Sequence, residues 1–259
     1  MKPVILFWSG GKDSALALDR IRRERQYDVV ALVTTVNEHY RRISMHGVRE
    51  ELVEAQAAAA GLPLHKMYVG PSGTNDEYVA GLRAVIAPFR DRGIDGVAFG
   101  DIFLEDLRQW REVVLAEIGV TGIFPLWKND TVQLAQEFVA RGFKAVICCA
   151  NDAHLGEADA GRPLDARFFA SLPADVDPCG ENGEYHSFVH DGPVFRRPVA
   201  FELGAKVYRP ILTSTDEEED EAAQTEPAIP RPAAHGTSLT KGFWFVDLHA
   251  MPPGTGEGV

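Results

Sequence analysis

With 259 residues, 45% hydrophobic and 25% charged, the chain has a globular composition and the length for one large α/β domain plus an appendage. Its formal net charge is −12, and the chain stays acidic when the run Asp216-Glu217-Glu218-Glu219-Asp220-Glu221 is set aside, which argues against a nucleic-acid partner. No run of eighteen apolar residues is present, which excludes a membrane-spanning helix, and the opening Met1–Leu6 lacks the longer apolar region of a signal peptide, so the expected compartment is cytoplasmic.

In chain order, Val4–Trp8 reads as a strand and Ser14–Arg25 as an amphipathic helix. Val29–Val33 is a second strand. His46–Ala60 reads as an alanine-rich helix, closed by Gly61 and kept from continuing by Pro63. Leu64–Val69 is a third strand. Thr74 or Asn75 caps the next helix, which runs to about Arg92 with a kink or break at Pro88. Gly96–Phe99 is a strand, Leu104–Ile118 a helix and Ile123–Trp127 a short strand or strand end. A helix over Thr131–Arg141 is capped by Asp130, and Ala145–Cys149 closes the series. Several of these strands are unbroken apolar runs, the pattern of strands buried on both faces of a parallel sheet. The alternation predicts a Rossmann-like, doubly wound α/β domain over 1–150.

Beyond Pro178 the texture changes. Tyr185–His190, a turn at Asp191-Gly192 and a resumption at Val194-Phe195 predict a small antiparallel α+β appendage, with a substrate-binding region over 151–213. Residues 214–241 are acidic and then rich in Pro and Ala, which predicts a disordered linker. Gly242–Leu248 is expected to return as a closing strand within a final segment, 242–259. Cys148, Cys149 and Cys179 form no C-x-x-C pair, and neighbours on a strand point to opposite faces, so buried inert thiols are expected at 148 and 149.

The chemistry concentrates in Ser9-Gly10-Gly11-Lys12-Asp13-Ser14, between the first strand and the first helix. A helix start offers free amides and a positive dipole end to phosphates. Gly10 and Gly11 allow close backbone approach, Ser9 and Ser14 add hydroxyls and Lys12 adds a charge. Asp13 beside phosphates requires a cation, which makes it the candidate Mg²⁺ ligand; the alternative is an acid favoured by the helix dipole. Gly100-Asp101 ends the fourth strand, where α/β ligands sit. There Gly100 would admit nucleotide or substrate and Asp101 would hold metal or ribose; the alternative is a plain strand exit. A second cluster, Asp177–Phe188, crowds Glu181, Glu184 and His186 into a glycine-broken loop. Such a cluster is either a solvated turn or a site for an amine or cation.

Ser9–Ser14 resembles the pyrophosphate loop of the N-type ATP pyrophosphatases (PP-loop, adenine nucleotide alpha hydrolase-like). Gly180-Glu181-Asn182-Gly183-Glu184-Tyr185-His186-Ser187-Phe188-Val189 and the following Asp191, Pro193 and Phe195 resemble the signature of the diphthine–ammonia ligase (diphthamide synthetase) family. Met45-His46, Pro125-Leu126-Trp127 and Gly242–Leu248 are also similar to that family, whereas Asp101–Glu112 is closer to its bacterial relatives. The resemblance implies ATP and Mg²⁺ as cofactors, adenylation of a small-molecule or protein-borne carboxylate, attack by ammonia, and release of AMP and pyrophosphate. It implies Lys12, Asp13, Glu181, Glu184 and His186 as the catalytic set. Glu181 and Glu184 would bind substrate or ammonium, and His186 would transfer a proton. It implies an acceptor other than diphthine if the source is bacterial. Two alternatives stand beside it: a tRNA-modifying enzyme with the same loop, and an ATP-binding module without turnover.

Overall fold

The computed structural model describes residues 1–70, 74–211 and 240–251. The expected linker, apart from its last two residues, and the tail from 252 lie outside the described residues.

The first half alternates strands and helices: β1 (Lys2–Phe7), α1 (Lys12–Glu24), β2 (Tyr27–Asn37), β3 (Arg42–Ile43), α2 (Glu50–Ala60), β4 (Leu64–Val69), α3 (Asn75–Arg90), β5 (Gly96–Ala98), α4 (Glu105–Ile118), β6 (Thr121–Ile123) and α5 (Thr131–Ala140). The parallel strands lie in the order β4-β2-β1-β5-β6, with the short β3 antiparallel to the end of β2. This is the Rossmann-like, doubly wound order. β1 alternates accordingly. Val4 and Leu6 enter the core beneath α1 and α2, and Ile5 enters the core beneath α3 and α4. The chain reverses direction across the sheet between β1 and β5, so the carboxyl ends of these two strands frame a crevice.

The remainder is β7 (Lys144–Asn151), α6 (Ala166–Ala170), β8 (Tyr185–Asp191), β9 (Phe201–Pro210) and β10 (Gly242–Ala250). These strands form a separate antiparallel sheet ordered β8-β7-β10-β9. The apolar run Ala145–Cys149 does not end the parallel series. It pairs antiparallel with β8 and β10, so the parallel sheet stops at β6. A strand buried on both faces looks the same in either kind of sheet. The chain does turn at Gly192, where the Phe195 amide donates to the Gly192 carbonyl, but Val194-Phe195 does not resume as a strand. β8 pairs with β7, and the chain from 192 to 200 crosses to β9. The closing strand is present, inserted between β7 and β9.

Capping chemistry fixes the helix ends. Thr74 accepts from the Glu77 amide and Asp130 from the Gln133 amide. Gly61 closes α2 in the left-handed region at φ 72°. Pro88 sits in the last turn of α3, where its missing N–H costs one bond and does not break the helix. Two further corrections bear on the site. The helix expected from His46 begins only at Glu50, and residues 44–47 form a tight turn. Phe124–Trp127 is a turn rather than strand.

One hydrophobic core runs through both sheets. It joins Leu6, Trp8, Leu16 and Leu52 of the first half to Ile147, Phe188 and Val246 of the second. An ion-pair network locks α1 to α5, with Arg141 on Asp19 and Arg20 on Glu137. Among the described residues no helix is long and apolar enough to cross a membrane.

Candidate active site

The loop 9–14 leaves β1 at the crevice, and Gly10 takes φ +82°, a region that favours glycine. Its geometry is set from three sides. From α2, Gln56 is wholly buried; it accepts from Trp8 Nε1 at 2.9 Å and donates to the carbonyls of Gly10 at 2.9 Å and Val189 at 2.6 Å. From β8, the Val189 amide donates to the Gly10 carbonyl at 2.9 Å, and Ser187 Oγ accepts from the Lys12 amide at 3.1 Å. From β5, Gly100 lies so close that a Cβ there would come within 2.9 Å of the Asp13 carbonyl carbon. Within the loop, Ser9 Oγ accepts from the Gly11 amide at 3.2 Å, and Ser14 Oγ donates to the Gly11 carbonyl at 2.9 Å.

Lys12 is only 3% exposed. Its ammonium reaches both Asp13 carboxylate oxygens at 2.8 Å, donates to the Cys179 carbonyl and faces the Tyr185 ring. Burial opposes its charge, but Asp13, helped by Cys179 and Tyr185, holds the ammonium above the ordinary lysine range. The structure therefore presents a fixed cation, tied to the loop before β8, at the mouth of α1.

Of the second cluster, Glu181 faces this crevice. Its Oε1 accepts from the Ile102 amide at 3.1 Å, and burial, reinforced by Asp13, pushes its carboxyl up to about 8. At neutral pH it is largely a carboxylic acid. Glu184 does not present itself to a ligand, contrary to the expectation from sequence. It is 1% exposed, and its carboxylate is taken up by the Asp177 amide, the Asn182 amide and the Asn182 side chain. Its part is to fold the loop. Asp101 is likewise committed, accepting from Arg111 Nε at 2.7 Å, with Arg111 itself stacked over Phe99. That leaves metal or ribose binding at Asp101 in competition with an ion pair. The three cysteines are buried and form no disulfide, and burial pushes the Cys148 and Cys179 thiols above the ordinary thiol range.

His186 lies against a partner that the sequence reading had placed in a helix. The rings of His186 and His46 are 4.7 Å apart and tilted by 36°. His46 stands in the tight turn after β3, where Met45 and Gly47 both take φ +66°. Its Nδ1 is 3.0 Å from the Ser187 carbonyl. Burial and the nearby Lys12 lower His46 to about 4; burial, His46 and Lys12 hold His186 well below the usual histidine range. Both imidazoles are neutral at pH 7. Arg42 and Arg49 converge on Asp247 of β10, and Arg42 also donates to the Gly47 carbonyl at 2.7 Å, so the last strand anchors the His46 turn. His46, Gln56 and Ser187 are thus site residues not assigned from sequence. The available signals were a glutamine inside an alanine-rich helix and the histidine ahead of it.

Among the described residues no group of three or more His, Cys, Asp or Glu side chains is placed to hold a metal ion. Mg²⁺ asks for less than that, commonly one or two carboxylates plus substrate phosphates; the carboxylate at the loop is Asp13, both of whose oxygens are engaged by Lys12.

Comparison with known proteins follows the same two-part division. The diphthamide synthase N-terminal domain matches residues 1–122, and the diphthamide synthase C-terminal domain matches residues 130–210. The chain belongs to the diphthamide synthase family. The join between its two family domains falls between β6 and α5, ahead of the change of sheet. Among relatives, a diphthine–ammonia ligase of Danio rerio is 27% identical over 168 residues, covering 59% of this chain and 66% of that protein. One from Schizosaccharomyces pombe is 24% identical over 212 residues, covering 74% and 34%. One from Rattus norvegicus is 24% identical over 224 residues, covering 77% and 82%. The chain thus spans a third to just under two thirds of the first two of these relatives.

Proposed function

We propose that this member of the diphthamide synthase family is an ATP-dependent amide ligase. It would adenylate a carboxylate with release of pyrophosphate and then join the acyl group to ammonia with release of AMP. The observation that carries this reading is the 9–14 loop at the β1–β5 crevice, with Lys12 buried in it and tied to Cys179 in the loop before β8 and to Ser187 of β8.

The chemistry follows from the geometry. A carboxylate oxygen attacks the α-phosphorus, and the bond to pyrophosphate breaks. Lys12 and the loop amides stabilise the departing charge, which a dry and fixed site does better than water. Mg²⁺, with Asp13 as its protein carboxylate, would neutralise the phosphate oxygens there. Ammonia then attacks the acyl carbon, AMP leaves, and one N–H proton must go to a base. His186 is neutral, and its buried Nε2 has no hydrogen-bond partner among the described residues; with the hydrogen on Nδ1 it offers a lone pair for that proton. Glu181, largely protonated, can bind the acceptor or the amine by donating or accepting without fixing a charge. The relatives' names support diphthine-like carboxylates and ammonia as a starting panel.

The test is product analysis over a panel of carboxylates with ammonia. AMP and pyrophosphate are expected, with Lys12→Ala slowing their formation by about a hundredfold or more, the scale for losing a fixed transition-state charge. ADP and inorganic phosphate as products would overturn the assignment.

A further inference from the structure

His46 presses on the phosphate loop itself. A Cβ at Gly11 would lie 2.6 Å from His46 Cε1, so glycine at 11 makes room for this ring as well as for a ligand. The ring's orientation is fixed. A carbonyl only accepts, so the 3.0 Å contact with the Ser187 carbonyl requires the hydrogen on Nδ1 and leaves Nε2 with its lone pair. No partner for Nε2 is found among the described residues. The turn that carries the ring is expensive. Met45 is held in the left-handed region, and Arg42, Arg49 and Asp247 brace the turn from β10.

A bare lone pair at the rim of a phosphate loop repels phosphate oxygens. The same nitrogen carrying a proton would donate to them. The charged and titratable groups facing the ring are Lys12 from α1 and His186 from β8; burial first, and then the charge of Lys12, favour its neutral form. The arginines flanking its own turn are committed to Asp247 of β10. Several phosphate charges arriving at 9–14 reverse that balance. We propose that His46 is a phosphate ligand that takes up one proton on Nε2 as the nucleotide binds, with the Ser187 carbonyl holding its Nδ1–H throughout. This rests on the loop's binding ATP, as proposed above, and adds a residue and a proton to that event. The proton comes from solvent and is returned when the phosphates leave.

The experiment is calorimetric titration of the full chain with the magnesium complex of α,β-methylene-ATP at pH 7, in PIPES and in Tris, whose ionisation enthalpies differ. The wild type is expected to take up about one proton per nucleotide more than His46→Asn, whose amide keeps the bond to the Ser187 carbonyl but cannot charge. Its affinity should fall about tenfold per pH unit above neutrality, relative to the variant, up to the pKa of the bound state. His46→Gln, with an uncharged donor near the Nε2 position, should bind within severalfold of wild type and show no extra proton; it also serves if His46→Asn fails to fold. His186→Asn should retain the uptake. Equal proton uptake in wild type and both His46 variants, or its loss in His186→Asn alone, overturns the role of His46 while leaving the ATP reading intact. No binding by the wild type overturns both.

Discussion

At the scale of single residues, Glu181 offers the sharpest test, because one side chain carries opposite costs in its two states. The Ile102 amide favours its anion, but burial and the neighbouring Asp13 win and raise the carboxyl to about 8. An acid raised in the folded state makes folding less favourable as pH climbs from the unfolded value toward the folded one. Relative to Glu181→Gln, the wild type should lose stability between about pH 5 and 8 and be level with it at pH 5. The ceiling is about 1.4 kcal/mol per pH unit, and the observed slope should be lower because the side chain is partly open to solvent. Urea melts at three pH values measure it, and a difference independent of pH would refute the assigned ionisation. The contrast with Glu184 shows where the sequence stops being informative. Both glutamates stand in the same glycine-broken stretch with the same charge. Only the backbone path decides that one meets the crevice while the other meets the amides of Asp177 and Asn182. The loop 9–14 needed no such information, since its chemistry and its place between strand and helix are both written in six consecutive residues.

Elements fail to be legible where two readings share one pattern. Ala145–Cys149 is apolar throughout, which specifies burial on both faces but not the direction of its neighbours. The turn holding His46 was hidden for a different reason. Met45 takes a left-handed conformation that its residue type does not advertise, and the alanines that follow invite a longer helix. That turn is held from β10, which is reached only after the stretch outside the described residues. Burial opposes the Asp247 anion, but Arg42 and Arg49 prevail and hold it down to about 2. A depressed carboxyl stabilises the fold above its unfolded pKa, and that stability is lost as pH falls through the folded value. Asp247→Asn should therefore cost about 1–2 kcal/mol at pH 7, discounted for the partly exposed arginines, and the gap to wild type should narrow below about pH 4 and close as pH falls through about 2. Because the same contact braces residues 42–49, the variant should also bind nucleotide more weakly; unchanged affinity would separate β10 from the site.

For the whole molecule, the question is whether two sheets of different type make two folding units. Their shared core argues that they do not. Trp8, at the end of β1, packs edge-on against Phe195 and lies in the same core as Phe188 and Val246 of the second sheet. Gln56 then stitches the seam with polar bonds, one hydrogen-bonding group reaching Trp8 and the other reaching Gly10 and Val189. A buried donor or acceptor stripped of its partner costs about 1–3 kcal/mol, so Gln56→Leu, which orphans groups on both sheets, should destabilise by several kcal/mol. If the sheets are one cooperative unit, scanning calorimetry should give a single transition for the wild type, and the substitution should move that transition to lower temperature without splitting it. Two transitions, with only one shifted by Gln56→Leu, would mean that the second sheet docks on a self-sufficient first half. In that case the grip of Ser187 and Val189 on the phosphate loop would be an association that opens, and nucleotide affinity would track the weaker transition rather than the fold as a whole.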